Sequence, residues 1–294
     1  MIKVRRIGHA TFETPDLGRA IDYYTQTNGL VLAAKDNGRV FLATRTGLLA
    51  VQLERGSQPR CTRLSFEVAP DANFAEIRKQ LAEEGITCDE RQGPCPGIAK
   101  TLSFPDPKGT TIELFSQWGF LETQANPAGI GPLKLGHVAF FCSDPAKIAE
   151  FYQRLLGFRV SDWIDDFFVF LRCNTDHHSV NFIKGERARM HHIAFELRDA
   201  SHIIDACDVL ARSEFPVVWG PLRFGPGHNI AIFHRDHDGH TVELYTDLDQ
   251  MKDEALGYFD PRPWHRDRPQ RPKTWKRQDG PIWGMPPPAD FLRT

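Results

Sequence analysis

KLGHVAFFCSDPAKIAEFYQRLLGFRV, residues 134–160, repeats the pattern of RIGHATFETPDLGRAIDYYTQTNGLVL, residues 6–32. Each stretch begins with a short alternating segment, which is typical of a β-strand. An Asp/Pro pair then predicts a helix start, and an amphipathic segment that ends near glycine predicts the helix itself. His9 and His137 occupy the same place in the two stretches, at an offset of 128 residues.

The two parts of the chain match again further along, in the same order. Phe66 matches Phe195 at an offset of 129, and Glu113 matches Glu243 at an offset of 130. Because three matches drift by so little, they indicate an internal duplication. Each copy contains two strand–helix–strands units, so the sequence predicts four βαβββ modules.

We therefore expect an α+β protein in which the four modules form two tandem domains, each an incomplete β-barrel. The predicted boundaries are 1–120 for the N-terminal domain, 121–133 for a linker rich in Gly and Pro, and 134–249 for the C-terminal domain. Residues 250–294 carry a proline every few residues, so we expect an extended Pro-rich tail without regular helix or sheet.

Composition limits the possible classes of protein. The 294 residues are 41% hydrophobic and 25% charged, with a net charge of −2, so no bulk basicity favours nucleic acid. No apolar run is long enough to predict a membrane span. The six cysteines form no CxxC pair, which favours free thiols and a cytoplasmic protein. We also expect a homo-oligomer, either a dimer or a tetramer.

The stretch FHRDHDGHTVELYTD, 233–247, places His234, His237 and His240 three apart, with Glu243 at the same step. On a helix this spacing would align four metal ligands. An Asp-Gly turn signal interrupts the stretch, however, and the TVELYT that follows is rich in β-formers. The sequence therefore predicts strand, turn and strand, so the three-residue spacing does not align the four side chains, and Glu243 points to the inside of a curved sheet.

Strand alternation gives the other candidate ligands. Glu243 and Tyr245 share one face of their strand, opposite the apolar residues that should pack on a helix. His137 in GHVAFFC and His192 in MHHIAFEL lie on strands that could line the same concave sheet, although both faces of those strands contain apolar residues. Two imidazoles and one carboxylate form the facial ligand set of non-haem Fe(II) enzymes and also suit Mn(II) or Zn(II).

The first copy provides an internal comparison. Its three equivalent positions hold His9, Arg63 and Glu113. An arginine cannot bind a cation, so we expect no metal in the N-terminal domain and an ion pair between Arg63 and Glu113.

The motifs GHVAFFCSD, LRCNTDHHSVNF, MHHIAFEL and GPLRFGPGHNIAIFHRDHDGHTVELYTD resemble those of the type I extradiol ring-cleavage dioxygenases of the vicinal oxygen chelate superfamily. The resemblance covers roughly residues 4–250 and implies the vicinal oxygen chelate fold, with Fe(II) in the C-terminal domain. It implies His137, His192 and Glu243 as ligands, and His178 as the catalytic histidine that handles protons and stabilises the oxygen intermediate.

Two positions depart from this family. Phe224 stands where an active-site His is usual, and Phe233 where a Tyr is usual ten residues before the ligand Glu243. Two phenyl rings in place of hydrogen-bonding groups predict a more apolar pocket. We expect Phe224, Phe233 and Tyr245 to bind substrate, with His228 or His234 as possible replacements for the lost polar groups.

The resemblance implies an Fe(II)-dependent extradiol dioxygenase, with Mn(II) as another suitable metal, that cleaves a catechol-type small aromatic diol with O2. The alternative is a metal-dependent isomerase, lyase or hydrolase on the same scaffold, because Phe224 and Phe233 remove dioxygenase groups. A binding protein without catalysis is the third class, and the intact ligand set argues against it.

Overall fold

The structure, a computed structural model, describes residues 2–123 and 128–292. The predicted linker at 121–133 and the tail at 250–294 thus lie partly outside the described residues, as does Met1 of the predicted 1–120 domain. The domain boundaries remain a proposal. Within the described residues, no helix is long and apolar enough to cross a membrane.

Each half of the chain contains two βαβββ modules, as the duplication predicted. The first half comprises β1 (Val4–Thr14), α1 (Leu17–Asp22), β2 (Val31–Asp36), β3 (Arg39–Ala43), β4 (Leu49–Arg55), β5 (Arg60–Val68), α2 (Phe74–Glu83), β6 (Asp89–Cys95), β7 (Ile98–Pro105) and β8 (Thr111–Phe115). The second comprises β9 (Lys134–Cys142), α3 (Pro145–Leu156), β10 (Arg159–Ile164), β11 (Phe168–Arg172), β12 (Val180–Lys184), β13 (Arg189–Glu196), α4 (Ala200–Arg212), β14 (Trp219–Arg223), β15 (Ile230–Arg235) and β16 (Thr241–Thr246).

Each half forms one curled sheet, an incomplete barrel. The strand order is β2-β3-β4-β1-β5-β8-β7-β6 in the first sheet. The second sheet repeats this arrangement as β14-β15-β16-β13-β9-β12-β11-β10, and the tail strand β19 (Lys273–Trp275) is added at its edge. The fold class predicted from the sequence is therefore confirmed, apart from the tail.

Register confirms the equivalence of the two halves. In the parallel pair of β13 and β16, Ala194 lies opposite Glu243. In the parallel pair of β5 and β8, Ser65 lies opposite Glu113 in the same way. Val242 and Leu244 pack in the main hydrophobic core, so Glu243 faces the concave side, as alternation predicted.

Local sequence signals set the ends of the helices. The Asp144 side chain accepts a hydrogen bond from the Lys147 amide at 3.0 Å, and Pro145 occupies the first turn of α3. Gly157 ends that helix at φ 74°, a left-handed conformation that glycine adopts without steric cost.

Helices of each half contact the other half in a reciprocal way. Tyr152 of α3 donates its hydroxyl to Asp106 Oδ2 at 3.0 Å, in the turn between β7 and β8. The Tyr23 hydroxyl, just after α1, lies 2.7 Å from His234 Nε2 of β15. His234 is therefore part of the contact between the halves, behind the concave face.

The tail contains regular structure, which corrects the expectation from its prolines. β17 (Met251–Asp253) pairs with β18 (Tyr258–Phe259), and β19 pairs in parallel with β10. Proline does not break β19 because the strand falls between prolines and lies at a sheet edge. Asp162 secures it, accepting hydrogen bonds from the Lys273 amide at 2.8 Å and from Trp275 Nε1 at 2.7 Å.

We predict that Trp275→Phe, which keeps an aromatic ring but removes this donor, lowers the free energy of unfolding by about 1–3 kcal/mol, because a buried carboxylate loses a hydrogen bond. Urea unfolding at neutral pH measures the change. Trp283→Phe, in a more exposed part of the tail, is the control. Equal stability of Trp275→Phe and wild type would show that the indole does not hold the tail to Asp162.

Candidate metal centre

Three adjacent strands bring the predicted ligands together. His137 Nε2 lies 3.0 Å from Glu243 Oε2 and 3.2 Å from His192 Nε2. The distance from His192 Nε2 to the same Glu243 oxygen is 3.2 Å. All three side chains are buried on the concave face of the second sheet.

This triangle has the dimensions of a metal site. Bonds of about 2.0–2.2 Å that meet near right angles place neighbouring ligand atoms about 2.8–3.1 Å apart. The three separations in the protein are close to that range. Two imidazoles and a carboxylate on one face of an octahedron leave the opposite positions open, as a catalytic metal requires.

The ligands have the charge states that a cation needs. Burial raises the pKa of Glu243, but the adjacent His137 and His192 outweigh it and hold the pKa at about 2. Burial lowers the pKa of His137, so its ring is neutral at neutral pH. Asn229 Nδ2 donates to Glu243 Oε1 at 2.9 Å, which fixes the carboxylate with its other oxygen toward the two histidines.

The tail orients His192 through its neighbour. His191 Nε2 lies 2.9 Å from the carbonyl oxygen of Phe291, so this nitrogen carries the proton and donates. Burial lowers the pKa of His191 to about 3, so the ring is neutral and its Nδ1 is an acceptor. His192 Nδ1, 2.6 Å away, then donates to it, and His192 Nε2 presents its lone pair to the centre.

A second hydrogen-bond chain orients His178, which lines the cavity beside His137 with ring centroids 4.2 Å apart. Asp162 Oδ2 lies 3.1 Å from His177 Nε2, and His177 Nδ1 lies 3.0 Å from His178 Nδ1. When both rings are neutral, His177 carries its proton on Nε2 and donates it to the Asp162 carboxylate. His177 Nδ1 is then an acceptor, so His178 Nδ1–H donates to it. His178 Nε2 is left as a proton acceptor.

The equivalent positions of the first half hold residues that pair with one another. Arg63 Nε lies 3.6 Å from Glu113 Oε1, the ion pair expected from the sequence, and Arg63 also pairs more closely with Glu54. Ser65 donates to Glu113 Oε2 at 2.6 Å and lies 3.1 Å from His9 Nε2. Hydrogen bonds and a guanidinium thus occupy the space that a cation would need.

A cavity of about 200 Å³ opens above the three ligands. Its wall is mostly aromatic, and the tail supplies part of it. The aromatic residues are Phe167, Phe168, Phe170, Trp219, Phe224, Phe233, Trp275 and Phe291. Exposed Lys276, Arg277 and Asp279 of the tail line its outer part.

Two of the three residues predicted to bind substrate lie in this wall. Phe224 and Phe233 both line the cavity, and Trp219 stacks on Phe233 with centroids 5.1 Å apart. Tyr245 does not line the cavity. Its buried ring packs behind His137, and its hydroxyl lies over Gly136, where any side chain would clash with it. Alternation gave the correct face for Tyr245, but the residue lies beneath the ligands rather than beside the substrate space.

The remaining histidines of the motifs lie away from the cavity. His234 contacts Tyr23, and His228 Nδ1 lies 2.7 Å from Asp249. His240 packs on Phe12 with centroids 5.2 Å apart, and His237 lies in the turn. None of the four replaces the polar groups that Phe224 and Phe233 lack.

Several residues of the site were missed from the sequence. Asn229 lies in the motif GPGHNIAIF quoted above. An amide residue directly before a strand was the signal that could have identified it. Asn181 lines the cavity, and its Oδ1 has no hydrogen-bond partner among the described residues. Asp162 and the tail residues gave no local signal, because only long-range pairing brings them to the site.

The fold and the triangle of His137, His192 and Glu243 define a protein of paired βαβββ modules with a candidate metal centre. Residues 134–244 match the model of the Glyoxalase/Bleomycin resistance protein/Dioxygenase superfamily. This match agrees with the resemblance to the extradiol dioxygenases of the vicinal oxygen chelate superfamily and covers most of the second half of the chain.

Individual proteins are also similar to this chain. The chain is 27% identical over 269 residues to metapyrocatechase 2 of Cupriavidus necator, covering 84% of this chain and 82% of that protein. Its fold is similar to the 2,3-dioxygenase LapB from Pseudomonas sp. KL28, with a TM-score of 0.81, 22% identity and coverage of 95% and 99%. It is also similar to the Mn(II)-bound glyoxalase from Novosphingobium aromaticivorans, with a TM-score of 0.85, 21% identity and coverage of 100% and 95%.

We predict that His192→Ala lowers the metal content by about one ion per chain, because two remaining ligands hold a divalent ion weakly. Inductively coupled plasma mass spectrometry after dialysis against Fe(II) without oxygen measures this. Arg63→Ala, at the equivalent position of the first half, is the matched control and should keep the wild-type content. Unchanged metal in His192→Ala would contradict the assignment.

Proposed function

We propose that the chain is an Fe(II)-dependent extradiol dioxygenase that cleaves the ring of a catechol-type diol with O2. The observation that carries the proposal is the triangle of His137, His192 and Glu243 at the base of an aromatic cavity, with the His178 acceptor nitrogen beside it. These parts provide three ligands for a cation, a proton acceptor and an apolar space for an aromatic ring.

The metal must be redox-active for this chemistry. A bound Fe(II) or Mn(II) ion would hold the diol and dioxygen together and pass electron density between them, whereas Zn(II) has no accessible redox state. The donor set suits Fe(II), and Mn(II) is the other candidate.

His178 is the proposed acid–base residue. Its Nε2 accepts a proton from a diol hydroxyl, and the hydrogen bonds through His177 to Asp162 hold the ring in that tautomer. Burial, reinforced by His137, lowers the pKa of His178 well below the ordinary value, so the ring is neutral before the diol binds. After His178 has accepted the proton, its Nε2–H donates a hydrogen bond to the oxygen atom on which negative charge develops.

The aromatic wall excludes water from the reacting ring and favours an apolar substrate. The cationic residues that line the cavity, Lys276 and Arg277, lie at its exposed outer part, and Lys276 Nζ lies 3.2 Å from Asp165 Oδ1. An uncharged diol with an apolar substituent fits this wall better than a carboxylated one.

Two further properties complete the proposal. We infer a cytoplasmic location, which six free thiols favour. We also infer a homo-oligomer, a dimer or a tetramer, and the tail offers exposed Ile282, Trp283 and Met285 for such contacts.

The alternative of an isomerase, lyase or hydrolase is not favoured by the curated relatives.

We predict that His178→Ala keeps the wild-type metal content but lowers kcat by about 10²–10⁴-fold, because a positioned acid–base group contributes that much. Oxygen uptake with a panel of catechols, combined with metal analysis, checks both parts. Undiminished turnover would remove His178 from the mechanism, and loss of metal would assign it to the ligand set.

We also predict a preference for diols that carry a second apolar ring, with kcat/KM at least about tenfold above that for a carboxylated catechol, because the wall buries apolar surface. Trp219→Ala should reduce this preference, since the indole forms part of the wall. Equal kcat/KM for the two classes of diol would contradict the proposed substrate character.

A further inference from the structure

A second cluster of metal-type ligands lies outside the cavity already described. It comprises His228 between β14 and β15, Asp249 directly after β16, and His265 in the tail. Asp249 Oδ2 lies 2.7 Å from His228 Nδ1, and Asp249 Oδ1 lies 3.0 Å from His265 Nε2. One ligand atom from each side chain lies within 4.8 Å of the others.

Burial and charge distinguish this cluster from a surface ion pair. The side chains of His228, Asp249 and His265 are 4%, 1% and 1% exposed. Burial raises the pKa of Asp249, but the two histidines outweigh it and hold the pKa at about 2, so the carboxylate is an anion. A buried carboxylate with two imidazoles is the same donor set as in the first centre, and it suits a divalent transition metal.

The backbone at His228 is strained in a way that serves the cluster. His228 has φ 50°, a left-handed conformation that disfavours side chains with a Cβ, and Gly227 before it has φ 73°. Strain of this kind persists where the surrounding structure enforces it, and it clusters at binding sites. Here it holds the imidazole against Asp249.

The cluster joins three separate segments of the chain. The Asp249 amide donates to the Gly227 carbonyl at 2.9 Å, which ties the end of β16 to the loop that carries His228. His265 belongs to the tail and, with Asp267, lines a neighbouring cavity of about 520 Å³ that offers a route for an ion and water. The Trp275 ring, which lines the substrate cavity, lies 5.7 Å from the His228 ring.

We propose that His228, Asp249 and His265 bind a second divalent transition-metal ion, of the Zn²⁺ class, with a structural role. Three protein ligands and a water complete a tetrahedral set. The ion clamps the tail onto the end of the second sheet and so holds the part of the substrate wall that the tail supplies. The proposal does not depend on the reaction at the first centre.

The test isolates the second site by removing the first. His192→Ala protein is stripped with a chelator, dialysed against Zn²⁺ alone and analysed by mass spectrometry for bound zinc. We expect about one Zn²⁺ per chain in His192→Ala and essentially none when Asp249→Asn or His265→Ala is added. His202→Asn, which changes a buried histidine of α4 outside both clusters, is the matched control on the same background and should keep the zinc.

Thermal unfolding gives a second readout. Zn²⁺ should raise the Tm of His192→Ala by several degrees, because an ion that binds the folded state alone stabilises it, and should leave the Tm of the Asp249→Asn double variant unchanged. Asp249→Asn keeps the size of the side chain and one acceptor oxygen, so circular dichroism should show a folded protein. No zinc in His192→Ala, or equal zinc in the double variants, would contradict the proposal and show that the cluster holds the tail by hydrogen bonds alone.

Discussion

The pairing of β13 with β16 and β9 is the constraint on which the site depends. It places Ala194 opposite both Glu243 and His137, so side chains from three adjacent strands converge on the concave face. Side chains alternate along a strand, so a slip of one residue in β16 would turn Glu243 into the hydrophobic core and Val242 or Leu244 into the cavity. The apolar face that packs against the helices therefore fixes the position of the ligands.

The tail orients two of the histidines that the sheet brings together. The Phe291 carbonyl acts through His191 on His192, and Trp275 and Lys273 act through Asp162 and His177 on His178. Both chains of hydrogen bonds end at a ring nitrogen that presents a lone pair to the cavity. The tail also supplies aromatic wall, so ligand orientation, proton acceptance and exclusion of water all depend on its position.

Much of this arrangement could be predicted from the sequence. The duplication gave the four modules, because the second copy repeats the pattern of the first. Alternation gave the face of Glu243, whereas both faces of the strands that carry His137 and His192 contain apolar residues, so the family resemblance was needed to choose those two residues. The ion pair between Arg63 and Glu113 could be expected because the two residues stand at the positions of His192 and Glu243 in the duplication. Local patterns could not place Tyr245 beneath the candidate ligands, because the position of its ring depends on packing over Gly136, which lies on another strand. They also could not show β19, whose partner β10 lies more than 100 residues away in the chain.

The proposed reaction is the insertion of dioxygen into an aromatic ring at this centre. The most direct measurement is mass spectrometry of the product after the Fe(II)-loaded enzyme turns over an apolar catechol under ¹⁸O2. We expect a ring-opened product with both labelled oxygen atoms incorporated, apart from any exchanged with water at the aldehyde. An unopened ring, or a product without label at the non-exchanging carboxylate, would contradict it.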